Sequence, residues 1–320
     1  MKIAIVDSGI DDRIISNEII EIRNYTKEGK YDYCGHGTGC FLTIASYINK
    51  KVEYIIVKVL NRNGCTDLLT LKKALQDLLN DEIDIICMAL SINESVSAMQ
   101  SQVINWLCEK LYAKGTYIVV AYKNGSKNSW PASLKCVIGV QGALFQSCNE
   151  IWADIIKNNV VADCAPFFFK DINGKFSFLS GNSKACGVTT AYIANKILLG
   201  KRKIEEFMED ATKTEWTEEE VNLEIGTFLH KNKRLKKVIN EDKFRNLKEV
   251  CESKLDSYLS QEFYEEKISI DDQYYYRVKC CDEILSTIEK FCNIRIVEGT
   301  ITVNTFCNIY ELYDSLYIDN

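Results

Sequence analysis

Histidine is almost missing from this chain: of 320 residues only His36 and His230 are imidazoles. Acid–base chemistry near neutral pH therefore has few side chains to run on. With no histidine cluster and no paired Cys-x-x-Cys spacing, a zinc site is excluded. No stretch is long and apolar enough to span a membrane, and the runs over 54–60 and 117–121 have strand length. The apolar run after Lys2 stops at Asp7, too soon for a signal peptide, so a cytoplasmic location is expected. No long basic run is present and the net charge is −6, which argues against a nucleic-acid surface. Gly/Ser-rich linkers, low-complexity tracts and repeats of solenoid length are missing too. Cysteine is the exception to this scarcity. Its 14 copies sit in apolar surroundings such as Ile86-Cys87-Met88 and Lys135-Cys136-Val137. A disulfide framework belongs to short secreted chains, so most of these read as reduced, buried thiols.

What is present reads as globular, with 47% hydrophobic and 26% charged residues. Strand-like runs rich in Ile and Val occur at 2–6, 52–60, 83–90, 116–121, 136–140 and 159–162. They are continuously apolar, as central strands of a parallel sheet are. Helical patterns at 37–49, 67–80 and 97–114 lie between them. In the second, Leu68, Leu69, Leu71, Ala74, Leu75, Leu78 and Leu79 make one wide apolar face, with Thr66 or Asp67 available as cap. This alternation predicts an α/β fold, a mostly parallel sheet with helices on both faces. Beyond residue 200 the chain turns strongly acidic and then reads as amphipathic helices. Residues 1–200 are expected to form one domain, 201–240 a helical linker, and 241–320 a small all-α domain.

Three glycine-flanked motifs carry chemistry. The first strand ends in Asp7-Ser8-Gly9, Gly35-His36-Gly37-Thr38-Gly39 opens a helix, and Ser180-Gly181-Asn182-Ser183 precedes an apolar helix over 185–199. A serine hydroxyl needs a base within reach, and that base needs an acid to fix its tautomer. Ser183, His36 and Asp7 supply these types, in the Asp, His, Ser order of one branch of serine hydrolases. A hydroxyl at a helix N-terminus also sits beside free N–H groups able to stabilise an oxyanion.

Together these motifs resemble the subtilases, the subtilisin-like serine proteases. The aspartate motif is matched by Ile3-Ala4-Ile5-Val6-Asp7-Ser8-Gly9-Ile10, the histidine motif by Gly35-His36-Gly37-Thr38, and the serine motif by Gly181-Asn182-Ser183-Lys184-Ala185. The resemblance implies Asp7, His36 and Ser183 as catalytic residues. Through Val119-Val120-Ala121-Tyr122-Lys123-Asn124-Gly125 it implies Asn124 as the oxyanion-hole asparagine. Through Met88-Ala89-Leu90-Ser91 it implies a strand that pairs with substrate backbone. Metal and cofactor are not implied. Departures stand out: Gly39 replaces a usual histidine, and Ser183-Lys184-Ala185-Cys186-Gly187 replaces Ser-Met-Ala-Ser-Pro. No acidic cluster reads as a calcium site. The expected activity is that of an intracellular endopeptidase maturing a specific, bacteriocin-type precursor peptide. The alternative is an inactive pseudoprotease that binds such a peptide and presents it to a modifying enzyme.

The last 80 residues read as helices over 244–259 and 280–291 and a short final helix over 305–312 capped by Thr305. This order weakly resembles an acyl carrier protein of peptide-maturation systems. The attachment serine would fall near Val278, and residues 274–279 contain none. The resemblance therefore implies a binding role without a prosthetic arm, with peptide-modifying enzymes as partners.

Overall fold

The computed structural model describes residues 1–91, 98–125, 129–145, 147, 149–221, 240–264, 272–297 and 299–317. His230 lies outside them. Contacts divide the chain into two units. One comprises residues 1–165 and 179–221, the other 166–178 and 222–320.

The first unit is built on an eight-stranded sheet in the order β2-β3-β1-β4-β5-β6-β8-β7. Its strands are β1 (Lys2–Asp7), β2 (Ile19–Asn24), β3 (Glu53–Lys58), β4 (Ile85–Met88), β5 (Tyr117–Ala121), β6 (Ile138–Ala143), β7 (Ile151–Asp154) and β8 (Asn159–Asp163). All neighbours run parallel except β7 on β8. The continuously apolar strands expected from sequence are those buried on both faces. On one face Ala4, Val6, Ile86, Met88, Ile118 and Val120 pack with Leu71, Leu75, Leu78, Ile104, Leu107 and Leu111. These last come from α2 (Leu68–Leu78) and α3 (Ala98–Ala113). Asp67 caps α2, its carboxylate accepting the Thr70 N–H at 2.7 Å. On the opposite face α1 (His36–Tyr47) packs beside α4 (Gly181–Leu198). α4 is apolar almost all round and is accordingly buried along most of its length.

Sheet order fixes where a site can form. From β1 the chain builds outward to β3 and β2 on one side and to β4, β5 and β6 on the other. Loops leaving the carboxyl ends of strands on either side of such a reversal enclose a crevice. Asp7 ends β1 and Met88 ends β4, the two strands flanking it.

Two expectations differ here. The sheet unit continues to Val221 rather than stopping at 200: Trp152 of β7 bridges Lys213, and Trp216 and Val221 join Phe145, Trp152 and Val161 in a local core. Helix α4 begins at Gly181, so Ser183 lies inside its first turn instead of ahead of it.

The second unit joins a two-stranded hairpin, β9 (Phe167–Lys170) with β10 (Phe176–Leu179), to helices Glu241–Lys254, Gln261–Tyr264, Asp272–Lys279, Cys281–Cys292 and Ile309–Tyr317. An isolated hairpin is marginal in water. This one is held by its unit: Phe168 lies 5.1 Å from Phe306 between ring centres, Lys170 Nζ pairs with Glu289 at 2.8 Å, and the Phe176 N–H donates to Asp282 at 2.8 Å. The final helix starts later than expected. Asn308 caps it, accepting the N–H groups of Tyr310 and Glu311 at 3.0 Å, while Thr305 sits in a preceding 3-10 turn and bonds Ser315.

Candidate active site

Three segments far apart in sequence converge at the carboxyl edge of the sheet. The buried Asp7 holds the His36 ring, with Oδ1 2.8 Å from Nδ1. The other ring nitrogen, Nε2, lies 3.0 Å from Ser183 Oγ. Acid, imidazole and hydroxyl thus form one continuous hydrogen-bonded line. The Asp7 charge raises the His36 pKa to about 9, winning against burial, which favours the neutral ring.

The polypeptide around His36 explains how that ring is aimed. The first amides of a helix have no partner within it. Here the Asp32 carboxylate takes them, accepting the N–H of Gly35 at 2.9 Å and of Thr38 at 2.8 Å. The same carboxylate lies 2.9 Å from Ser8 Oγ, and that hydroxyl accepts the Gly37 N–H at 2.8 Å. Asp32 and Ser8 therefore lock the start of α1 to the loop carrying Asp7. Gly37 permits the contact: a Cβ there would stand 2.4 Å from the Gly9 carbonyl oxygen. Gly35, at φ +78°, adopts the left-handed turn that precedes the helix.

Behind Asp7 the buried Cys40 thiol lies 3.7 Å from Oδ2 and 3.9 Å from His36 Nδ1. Burial, with the Asp7 charge, pushes that thiol well above its ordinary pKa, so it is a neutral wall. Asp7, His36 and Cys40 are the one group with metal-ligand spacing among the described residues, their donor atoms lying within 4.8 Å of one another. Asp7 and His36 already spend theirs on each other.

Asn124 lies beside the first turn of α4. Its side-chain oxygen accepts the Asn182 N–H at 3.2 Å, leaving the amide NH2 as the other end of the group. Gly181, at φ +68°, passes within 3.1 Å of that oxygen, measured from where a Cβ would be. The Asn182 side chain spans two strand ends, accepting the Gly142 N–H at 2.8 Å and donating to the Tyr122 carbonyl at 2.9 Å.

A cleft of about 780 Å³ opens at His36, bordered by Leu60, Arg62, Leu68, Ala89, Leu90 and Ser91. Ala89, Leu90 and Ser91 thus lie where a substrate segment was expected. Met88 does not: it is fully buried in the core beneath, because alternation along β4 turns it toward α2 and α3. Sequence reasoning passed over Ser8, Asp32 and the roles of Asn182 and Lys184. Asp32, four residues ahead of His36, was the one available signal, since an acid just before a helix start can cap it.

The profile of the subtilase family matches residues 1–199. The chain is 29% identical over 154 residues to the minor extracellular protease Epr of Bacillus subtilis (strain 168). That alignment takes in 44% of this chain and 23% of the relative, so the chain spans under a quarter of that protein's length. Among solved structures, a cold adapted subtilisin-like serine proteinase is similar, with a TM-score of 0.51 at 15% identity, covering 67% of this chain and 85% of that one. At this identity the likeness concerns the fold alone.

Proposed function

We propose, from the premise that this chain belongs to the subtilase family, that it is a serine endopeptidase whose nucleophile is Ser183. Ser183 Oγ attacks the scissile carbonyl, and His36 Nε2 takes its proton and returns it to the leaving amine. Asp7 keeps Nδ1 protonated and offsets the imidazolium charge. The Asn124 amide NH2 and the Ser183 N–H receive the oxyanion, the first because its carbonyl end is already anchored on Asn182. Substrate lies extended along Ala89-Leu90-Ser91, adding a strand to the crevice edge, with a side chain in the cleft beside Leu60 and Leu68.

The observation that carries this reading is the closed line Asp7–His36–Ser183, with contacts of 2.8 and 3.0 Å. A pseudoprotease would need no such alignment. We place the enzyme inside the cell, acting on a bacteriocin-type precursor peptide, with the helical unit as the docking face for a peptide-modifying partner. Free thiols at the surface, Cys34 and Cys65, suit a reducing compartment.

A fluorophosphonate probe tests the activity. It should label the wild-type protein and leave Ser183→Ala unlabelled, and peptide cleavage should fall about 10⁶-fold, a magnitude carried over from triads of this family. Equal labelling of both proteins would refute the reading. Sequencing the cut sites in a peptide library, with Ser183→Ala as control, defines the substrate.

A further inference from the structure

Lys184 follows the nucleophile directly and is only 2% exposed. Its Nζ forms an ion pair with Asp163 Oδ2, whose residue is 3% exposed. A cation there is costly. It sits in the first turn of α4, where the helix dipole disfavours positive charge. Taking both ions out of water costs several kcal/mol each, and apolar residues of similar size are often as stable or more so. Stability alone therefore does not account for the pair. Buried pairs have their best-attested use in fixing the register of the elements they join.

The elements joined here are informative. Asp163 is the last residue of β8, and its other oxygen accepts the Ala165 N–H at 3.2 Å, shaping the turn that leaves the strand. The next residue, Cys164, accepts the Gly181 N–H at 3.1 Å through its carbonyl. Ser183 is thus bracketed, with Gly181 tied to residue 164 before it and Lys184 tied to residue 163 after it. Lys184 Nζ also reaches the Tyr47 hydroxyl at 3.4 Å and lies 5.4 Å from the centre of that ring. Tyr47 closes α1, the helix that His36 opens. One ammonium group therefore touches the strand end behind the nucleophile and the helix that presents the base.

We propose that Lys184, through Asp163 and Tyr47, is a positioning residue that sets α4 against α1 so that Ser183 Oγ meets His36 Nε2. This rests on the reading of Ser183 as nucleophile. Lys184 touches no reacting atom; it acts through the register of the two helices.

The test compares the full-length wild type with Lys184→Met, Lys184→Arg and the double variant Lys184→Met/Asp163→Leu, reading melting temperature and the rate of fluorophosphonate labelling. The single Met variant strands a buried carboxylate and loses both stability and labelling. The double variant removes the charge pair and keeps the volume. It should melt within a few degrees of wild type yet label at least tenfold more slowly, and Lys184→Arg should label within threefold of wild type. Wild-type labelling by the double variant would overturn the proposal, because apolar packing would then suffice. Should the double variant not fold, Lys184→Arg decides: labelling well above Lys184→Met supports the positioning role, and labelling as slow as Lys184→Met overturns it. If wild type itself is unlabelled, the endopeptidase reading fails, a result distinct from any of these.

Discussion

The sheet unit and the helical unit both bury polar side chains, and they do so to different ends. In the sheet unit Asp7, Ser8, Asp32 and Thr38 are nearly inaccessible, yet their hydrogen bonds converge on a ring that borders an open cleft. In the helical unit Arg277, Thr305, Asn308 and Ser315 are equally buried. Their bonds end on backbone and neighbouring helices, Arg277 donating to the Phe306 carbonyl at 3.1 Å and to Ser260 Oγ at 2.6 Å. The first network aims a group; the second closes a bundle. A buried polar cluster is thus informative about chemistry only when something titratable and reachable stands at its end.

Substitutions that separate rate from stability put this contrast at risk. The largest effect is expected from Asp7→Asn. Peptide hydrolysis should fall about 10⁴-fold with the fold retained by circular dichroism, since the amide no longer enforces the productive tautomer. The pH profile should move with it. Wild-type labelling should rise with pH through about 9, as the imidazolium gives up its proton, and the variant's midpoint should fall toward the ordinary histidine value. The linked stability has a definite sign. Folding raises the His36 pKa, so its contribution is complete below about 6.5 and is lost as pH climbs through about 9. Melting temperature should decline across that window.

Phe306→Ala comes next, and in the other currency. Phe306 is 1% exposed and packs on Phe168, so its loss should cost about 3–5 kcal/mol in urea unfolding. Labelling per folded molecule should stay near wild type; a fall as large as that of Asp7→Asn would erase the contrast between the units. Asn124→Ala should then slow hydrolysis about 10²–10³-fold without shifting the melting temperature, a magnitude carried over from removal of such a donor in this family. Glu289→Gln is the smallest. Its partner Lys170 is partly exposed, so the change should stay within about 1 kcal/mol by urea titration.

Legibility in the sequence followed the same divide. Strands β1, β3, β4, β5, β6 and β8 stood out because burial on both faces makes their central residues apolar. β2 did not: as an edge strand it carries Glu21, Arg23 and Asn24, and half of its pattern faces solvent. β7 is four residues long and antiparallel, and the aromatic hairpin of β9 and β10 is explained only by distant helices. Asp7, His36 and Ser183 were legible because each stands at a strand end or a helix start beside its own glycines. Asp32 carried only the signal of an acid ahead of a helix start, and Lys184 none, because what makes them matter is a partner brought close by folding: Ser8 for one, Asp163 and Tyr47 for the other. Met88 illustrates the reverse error, a residue adjacent to the cleft in sequence and facing away from it in space.

The hairpin sets an order of events during synthesis. Strand β10 runs straight into Ser180 and the nucleophile, while Asp282, Glu289 and Phe306, which support the hairpin, lie more than a hundred residues later in the chain. The ribosome therefore delivers the reactive serine well before it delivers the supports of the strand leading into it. A growing polypeptide carries an unbraced hairpin for that whole interval, and only the finished molecule can seat it.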